Sequence, residues 1–188
     1  MSFWLRNTIK RFDRISLAAI LTGVVGFMGL VPLQASALTP PSGSLQLVGT
    51  NVCAQVSGYT SGSAVTATDC QPLQINQKWY VNRAGYDPQG NIAYTLENAK
   101  AGAYQCINST GAGLAVNTAA CNGIKASERF VYVNSQNGGN ELRNIATGQC
   151  LDAGSVLGGG PVVLAACDAN SASQLWYLGP NTADPFSS

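Results

Sequence analysis

Residues 150–176 read CLDAGSVLGGGPVVLAACDANSASQLW: a cysteine, a second cysteine at 167, and a tryptophan nine positions beyond it. The same spacing occurs twice earlier in the chain. Cys53 and Cys70 precede Trp79, and Cys106 and Cys121 precede Phe130, each aromatic again nine residues after its second cysteine. All 6 cysteines are used in this way. The unit returns at intervals of about 50 residues, and three repeats of such a period specify one closed or stacked structure with a shared core.

Between these landmarks the chain is written in strands and turns. Short apolar runs separated by Gly, Asn and Ser predict strands at 45–48, 52–56, 65–70 and 78–82 in the first unit. The second unit offers 93–98, 104–108, 114–121 and 130–134, and the third 141–145, 150–153, 162–167 and 175–179. After residue 40 no stretch keeps a helical apolar period for three turns. Asn91, Gly102, Asn137-Gly138-Gly139, Thr147-Gly148 and Gly158-Gly159-Gly160 supply the residues that tight turns require. Four short strands cannot bury a face alone, so the units must close on one another, with Trp79, Phe130 and Trp176 as core plugs. The expected class is all-β.

Six cysteines allow fifteen pairings. The repeat selects one bridge per unit, between its second and third strands: Cys53 with Cys70, Cys106 with Cys121, and Cys150 with Cys167. Each closes a loop worth about 3 kcal/mol in the chain-entropy picture. A metal site is the competing use of cysteine, but there is no C-x-x-C spacing and no histidine, so neither metal nor cofactor is expected.

Disulfides need an oxidising compartment. The N-terminus carries the pattern of a secretory signal: Arg6, Lys10, Arg11 and Arg14, then an apolar run over 15–31, then Ala35-Ser36-Ala37 as a cleavage site. An uncleaved anchor helix is the alternative, with Gly23, Gly26 and Gly29 and a length at the short limit against it. The expected organisation is a signal peptide at 1–37, a short lead-in at 38–44, one domain at 45–180 with repeats at about 45–82, 93–134 and 141–179, and a tail at 181–188. The product is expected outside the cell, touching a membrane only through an uncleaved leader.

From Leu38 onward there are six basic and eight acidic residues, a net charge of −2. That excludes the basic stripe of a nucleic-acid binder. Gly, Ser, Thr, Asn and Ala dominate, giving a neutral, hydrogen-bonding surface. The lack of histidine removes the commonest general base.

Cys150-Leu151-Asp152, Cys167 and Gln174-Leu175-Trp176 resemble the ricin-B-type lectin repeat, with its cysteine pair and Q-x-W signature. Asn144, Thr147 and Gly148 are similar to the segment that enters such a repeat. Gln77-Lys78-Trp79 repeats the signature, whereas the second unit reads Glu128-Arg129-Phe130. The resemblance runs from about residue 45 to 178. It implies a β-trefoil, a six-stranded barrel capped by three hairpins, and carbohydrate binding in up to three equivalent pockets.

By that resemblance an Asp two residues after the first cysteine accepts sugar hydroxyls; an ionised carboxylate suits a vicinal diol. The third unit has Asp152 there, the second Asn108 and the first Gln55. The family's stacking aromatic, two residues before the second cysteine, is replaced by Thr68, Ala119 and Ala165. Its Asn-Gln pair is kept as Asn76-Gln77 and half kept as Ser173-Gln174. The carbohydrate-binding candidates are therefore Asp152, Ser173, Gln174, Asn108, Asn76 and Gln77, with Tyr59 as a replacement platform and the 158–160 glycines as a ligand wall. Asp152 also reads as a strand-end turn residue, and Gln77 and Gln174 as structural partners of the core Trp.

Three function classes follow. The first is a secreted, non-catalytic lectin with at most one or two working sites, whose partners are glycans or glycoconjugates. The second is a secreted trefoil inhibitor or interaction module, presenting a loop such as 83–90 to a separately encoded partner protein. An enzyme is the third; without histidine and with every cysteine used, it would rest on a pair such as Asp152 and Asp168, whose spacing reads equally as two turn residues.

Overall fold

The computed structural model describes residues 42–178, apart from 101 and 137. The expectations for the leader, the tail and the first part of the lead-in lie outside the described residues. Twelve strands are present: β1 (Ser42–Leu47), β2 (Val52–Val56), β3 (Val65–Asp69), β4 (Lys78–Tyr86), β5 (Ile92–Asn98), β6 (Gln105–Asn108), β7 (Asn117–Ala120), β8 (Phe130–Gln136), β9 (Gly139–Asn144), β10 (Cys150–Asp152), β11 (Val163–Ala165) and β12 (Trp176–Leu178). Single 3-10 turns at Ile75–Gln77, Ala126–Glu128 and Ala172–Gln174 precede the fourth strand of each unit.

Six of the strands close a ring. β1 pairs with β4, β4 with β5, β5 with β8, β8 with β9, β9 with β12, and β12 returns to β1, all antiparallel. The other six form the hairpins β2–β3, β6–β7 and β10–β11. Isolated bridges Ala64 to Asn117, Ala115 to Val163 and Thr66 to Pro161 join each hairpin to the next. This is the expected β-trefoil, with four strands per unit.

The alternation of side chains fills the inside. In β4, KWYVN, Trp79 and Val81 are buried while Lys78, Tyr80 and Asn82 are half-buried. Trp79 and Phe130 are fully buried and Trp176 is 1% exposed. The indole N–H of Trp79 donates to the Ala54 carbonyl at 3.0 Å, and that of Trp176 to Leu151 at 2.8 Å. Both acceptors directly follow a first cysteine. Phe130 fills the same place in the second unit without a donor, so the plug position selects for aromatic volume first and for the hydrogen bond second.

One disulfide per unit joins Cys53 to Cys70, Cys106 to Cys121 and Cys150 to Cys167, with no free cysteine. Boundaries differ from expectation in several strands, and two cases show why. β1 begins at Ser42, inside the expected lead-in, because Ser42, Gly43 and Ser44 pair with β4, Ser44 Oγ also accepting from Lys78 Nζ at 3.0 Å, and carry no apolar signal. Residues 83–90, read as an irregular loop, are strand in their first half: β4 continues to Tyr86 across a bulge between Arg83 and Tyr86. The turn that follows is closed by Asp87, whose carboxylate Oδ1 accepts the N–H groups of Gln89 at 2.9 Å and Asn91 at 2.8 Å.

Candidate functional site

The position seven residues after each second cysteine is occupied by Gln77, Glu128 or Gln174, and all three are at most 2% exposed. Each performs one identical task. A side-chain oxygen accepts the N–H of the residue that follows the second cysteine: Gln71 at 2.6 Å, Asn122 at 2.7 Å and Asp168 at 3.0 Å. This ties the 3-10 turn to the end of the hairpin.

The amide nitrogen then differentiates the units. Gln174 Nε2 donates to Asp152 Oδ2 at 2.9 Å and to the Ala166 carbonyl at 3.0 Å. Gln77 Nε2 donates to Gln55 Oε1 at 3.0 Å and to the Asp69 carbonyl at 2.9 Å. Both N–H groups of both amides are committed inside the protein. Gln77 and Gln174 are thus struts that fix the residue two beyond the first cysteine.

In the third unit that residue is Asp152, 9% exposed at the end of β10. Its Oδ1 accepts the Gly154 N–H at 2.6 Å and its Oδ2 accepts from Gln174. A carboxylate has about four acceptor positions, so each oxygen retains one beyond these bonds. Asp152 is thus the strand-end turn residue that the sequence offered, its carboxylate held in one orientation by these two bonds. Ser173 lies alongside; its carbonyl accepts the Ala153 N–H at 3.0 Å and its hydroxyl pairs with Ser171 at 2.9 Å.

The first unit places Gln55 and Asn76 together around the end of β2. Asn76 Nδ2 reaches the Val56 carbonyl at 3.4 Å, and its Oδ1 is buried with no partner. A buried acceptor without a donor is uncommon. In the second unit Asn108 donates to Asn117 across its own hairpin at 3.0 Å. Thr68, Ala119 and Ala165 stand opposite the first cysteines Cys53, Cys106 and Cys150 on the paired strands, so the platform position is small in every unit.

Tyr59, the expected replacement platform, has Lys100 Nζ 3.8 Å above its ring and packs against the core. That face is therefore covered. The 158–160 glycines are no ligand wall either: Gly159 N–H donates to the Ala67 carbonyl at 2.7 Å and Gly160 accepts from the Ala67 N–H at 2.9 Å. Gly158, at φ 71°, passes so close that a Cβ there would lie 3.3 Å from the Ala67 oxygen. The glycines lock the third hairpin onto the first. Glu141, Cys150 and Cys167 bring potential ligand atoms within 4.8 Å, but both sulfurs belong to one disulfide and offer no thiolate.

Glu128 departs from its two counterparts in having no amide. Its Oε1 is buried without a hydrogen bond, and Lys125, itself 53% exposed, approaches to 3.4 Å. An exposed lysine contributes little to such a pair. Glu128→Gln should restore the donors that Gln77 and Gln174 supply and raise stability by about 1 kcal/mol. Urea denaturation of the variant checks this; an unchanged or lower midpoint would count against the strut equivalence.

The fold is shared with proteins of known structure. A mosquitocidal holotoxin superposes with a TM-score of 0.62 at 20% identity over 78% of this chain, which spans only 18% of the toxin's length. ThreeFoil, a designed threefold-symmetric protein, gives 0.62 at 19% identity over 73% of this chain and 96% of its own. The hemolytic lectin CEL-III gives 0.55 at 21% identity over 74% of this chain and 31% of its own. Identities this low speak for the fold alone. No curated protein sequence matches the chain. The model of the ricin-type β-trefoil lectin domain matches residues 92–186, through the second and third units. That match takes in half of the sequence, and on it the chain belongs to the family of ricin-type β-trefoil lectin domains.

Proposed function

We propose that the protein is a secreted, non-catalytic glycan-binding module whose principal site is in the third unit. The observation that carries this reading is Asp152: a largely buried carboxylate at the end of β10, held by Gly154 N–H and the Gln174 strut, with two acceptor positions uncommitted. Ser173 stands beside it. In the first unit the kept Asn76-Gln77 pair is the candidate for a second, lesser site, though Asn76 Oδ1 is itself buried. Three disulfides and the basic-apolar N-terminal pattern support export. A chain without histidine and with every cysteine bridged has little with which to activate a nucleophile.

Lacking a stacking aromatic, the module binds weakly, at roughly millimolar Kd. Removing one partner of a charge-assisted hydrogen bond costs about 1.5–3 kcal/mol. Asp152→Ala should therefore weaken binding by about ten- to a hundredfold. Gln55→Ala withdraws the corresponding strut acceptor in the first unit and should leave affinity nearly unchanged, while costing similar stability. A glycan array on the oxidised protein, then titration of both variants with galactose- and mannose-type sugars, tests this. Equal loss in the two variants would mean that Asp152 acts through stability alone.

One observation favours a second reading. Leu73 is 97% exposed, Ile124 78% and Leu157 85%, and the first two occupy equivalent positions three residues after the second cysteine. Apolar loop tips suit a protein partner better than a sugar. An array without hits, together with capture of a defined surface protein that is lost in Leu73→Ser and Ile124→Ser, would replace the lectin reading by an interaction module.

A further inference from the structure

A cavity of about 190 Å³ lies between the tip of the β4–β5 hairpin and the turn that follows β9. It is lined by Asp87, Gln89, Arg143, Ile145 and Gly148 among others. Arg143 Nη2 donates to Asp87 Oδ2 at 3.2 Å. Asp87 also accepts from the Asn91 side chain at 2.9 Å and from two backbone N–H groups, which fills a carboxylate's acceptor capacity. Asn91's side chain is the largest influence on its carboxyl; with the backbone donors and Arg143 it outweighs burial and holds the group below the usual carboxylate range. A saturated, ionised Asp87 therefore serves to fix Arg143, whose remaining N–H groups are left for the cavity.

A second guanidinium stands at Tyr86, the neighbour of the lining residue Asp87, without itself lining the cavity. Arg129 Nη1 reaches the Tyr86 carbonyl at 3.4 Å, next to Asp87, and the Arg129 carbonyl accepts the N–H of Ile145 at 2.9 Å. Arg129 Nε is buried and has no partner, and among the described residues Arg129 joins no ion pair. A buried cationic donor without an acceptor is costly unless something supplies one. Arg83 lies 5.0 Å over the Tyr86 ring, so three guanidinium groups surround one hairpin tip that holds one carboxylate.

The fold does not require these cations. The N–H groups of Ile145, Ala99 and Val48 make equivalent bonds to Arg129, Lys78 and Leu175. Arg143, Glu97 and Gln46 pair equivalently with Cys150, Cys106 and Cys53. The two other junctions thus carry Lys78 with Glu97 and Leu175 with Gln46. Paired arginines occur at one junction of three, in a domain whose net charge is −2 from Leu38 onward.

We propose that this junction between the second and third units is a separate binding site for a small oxyanion, a carboxylate or a sulfate group, with Arg143 as its donor and the adjoining Arg129 guanidinium adding positive charge. Guanidinium groups match both shapes bidentately. The cavity takes one such group or a single charged sugar ring, well short of the ~300–1,000 Å³ of sites for larger ligands.

The test is titration of the oxidised protein with sodium sulfate, sodium glucuronate and glucose, against sodium chloride at matched ionic strength, followed by backbone amide shifts. Saturable shifts at Gln89, Ile145 and Gly148 are expected with sulfate, glucuronate or both. Binding of both shows that the charged group suffices; binding of glucuronate alone makes the sugar ring part of the ligand. Arg143→Gln should weaken binding at least about tenfold. That change also withdraws a partner from Asp87, so Arg129→Gln, which leaves the Arg143–Asp87 pair in place and removes only neighbouring positive charge, is the second variant, with a smaller loss expected. Chloride-like, non-saturable shifts for both anions, or wild-type binding in both variants, overturn the proposal. Asp152→Ala should leave this site intact, so failure here is distinguishable from failure of the third-unit lectin site.

Discussion

Trp79→Ala should leave the protein unfolded or nearly so at 37 °C, while Trp79→Phe folds. The indole is fully buried, and truncating such a side chain costs about 3–5 kcal/mol through lost transfer energy and the cavity left behind. Its loss also strands the Ala54 carbonyl, adding about 1–3 kcal/mol. Domains of this size have about 5–15 kcal/mol in all, so the alanine variant falls near or below the threshold. Phenylalanine keeps most of the volume and gives up the hydrogen bond, which is the condition that Phe130 already meets in the second unit. Urea unfolding followed by far-UV circular dichroism separates the two. A cooperative transition for Trp79→Ala within 1 kcal/mol or so of wild type would show that the three plugs do not share one core.

Reduction should have a comparable effect. Each bridge closes a loop of 17 or 15 residues, and a loop of that length is worth about 3 kcal/mol in the chain-entropy model. Three such losses together rival the whole stability of a domain. Cys53, Cys106 and Cys150 are fully buried, but their partners Cys70, Cys121 and Cys167 are half-exposed, which gives a reductant access. Incubation with dithiothreitol should abolish the cooperative thermal transition, and single Cys-pair→Ser variants should each lower the melting temperature by similar amounts. A reduced protein that melts like the oxidised one would place its stability in the barrel alone.

The fold was legible because the repeat is written in residues with few alternative uses. Cysteines in step with an aromatic nine positions later set both the bridges and the core plugs, and strand-length apolar runs between turn residues gave twelve strands in the right order. Where boundaries slipped, the strand was held by backbone rather than by pattern: Ser42-Gly43-Ser44 has no apolar alternation, and the bulge after Arg83 breaks the period of β4. The third-unit carboxylate could be found by counting from Cys150. The strut roles were only half visible, since Glu128 performs the Gln task with one oxygen and leaves the other idle. The arginine junction was invisible. Arg143 and Asp87 stand 56 residues apart, and no local pattern links a hairpin tip to a strand two units along.

The ring of strands closes through its last and shortest member. β12 has three residues, and it alone joins β1 to β9, with Leu47 facing Trp176 and Trp176 facing Asn140. Until residues 176–178 have left the ribosome, β1 and β9 each present an open edge of unpaired N–H and C=O groups, a template for other chains. The hazard in this protein's life is thus concentrated in the interval before β12 has emerged. Truncations that remove this strand should be far more prone to aggregate than their small size suggests, and a chaperone that shields β1 and β9 would be most useful in that interval.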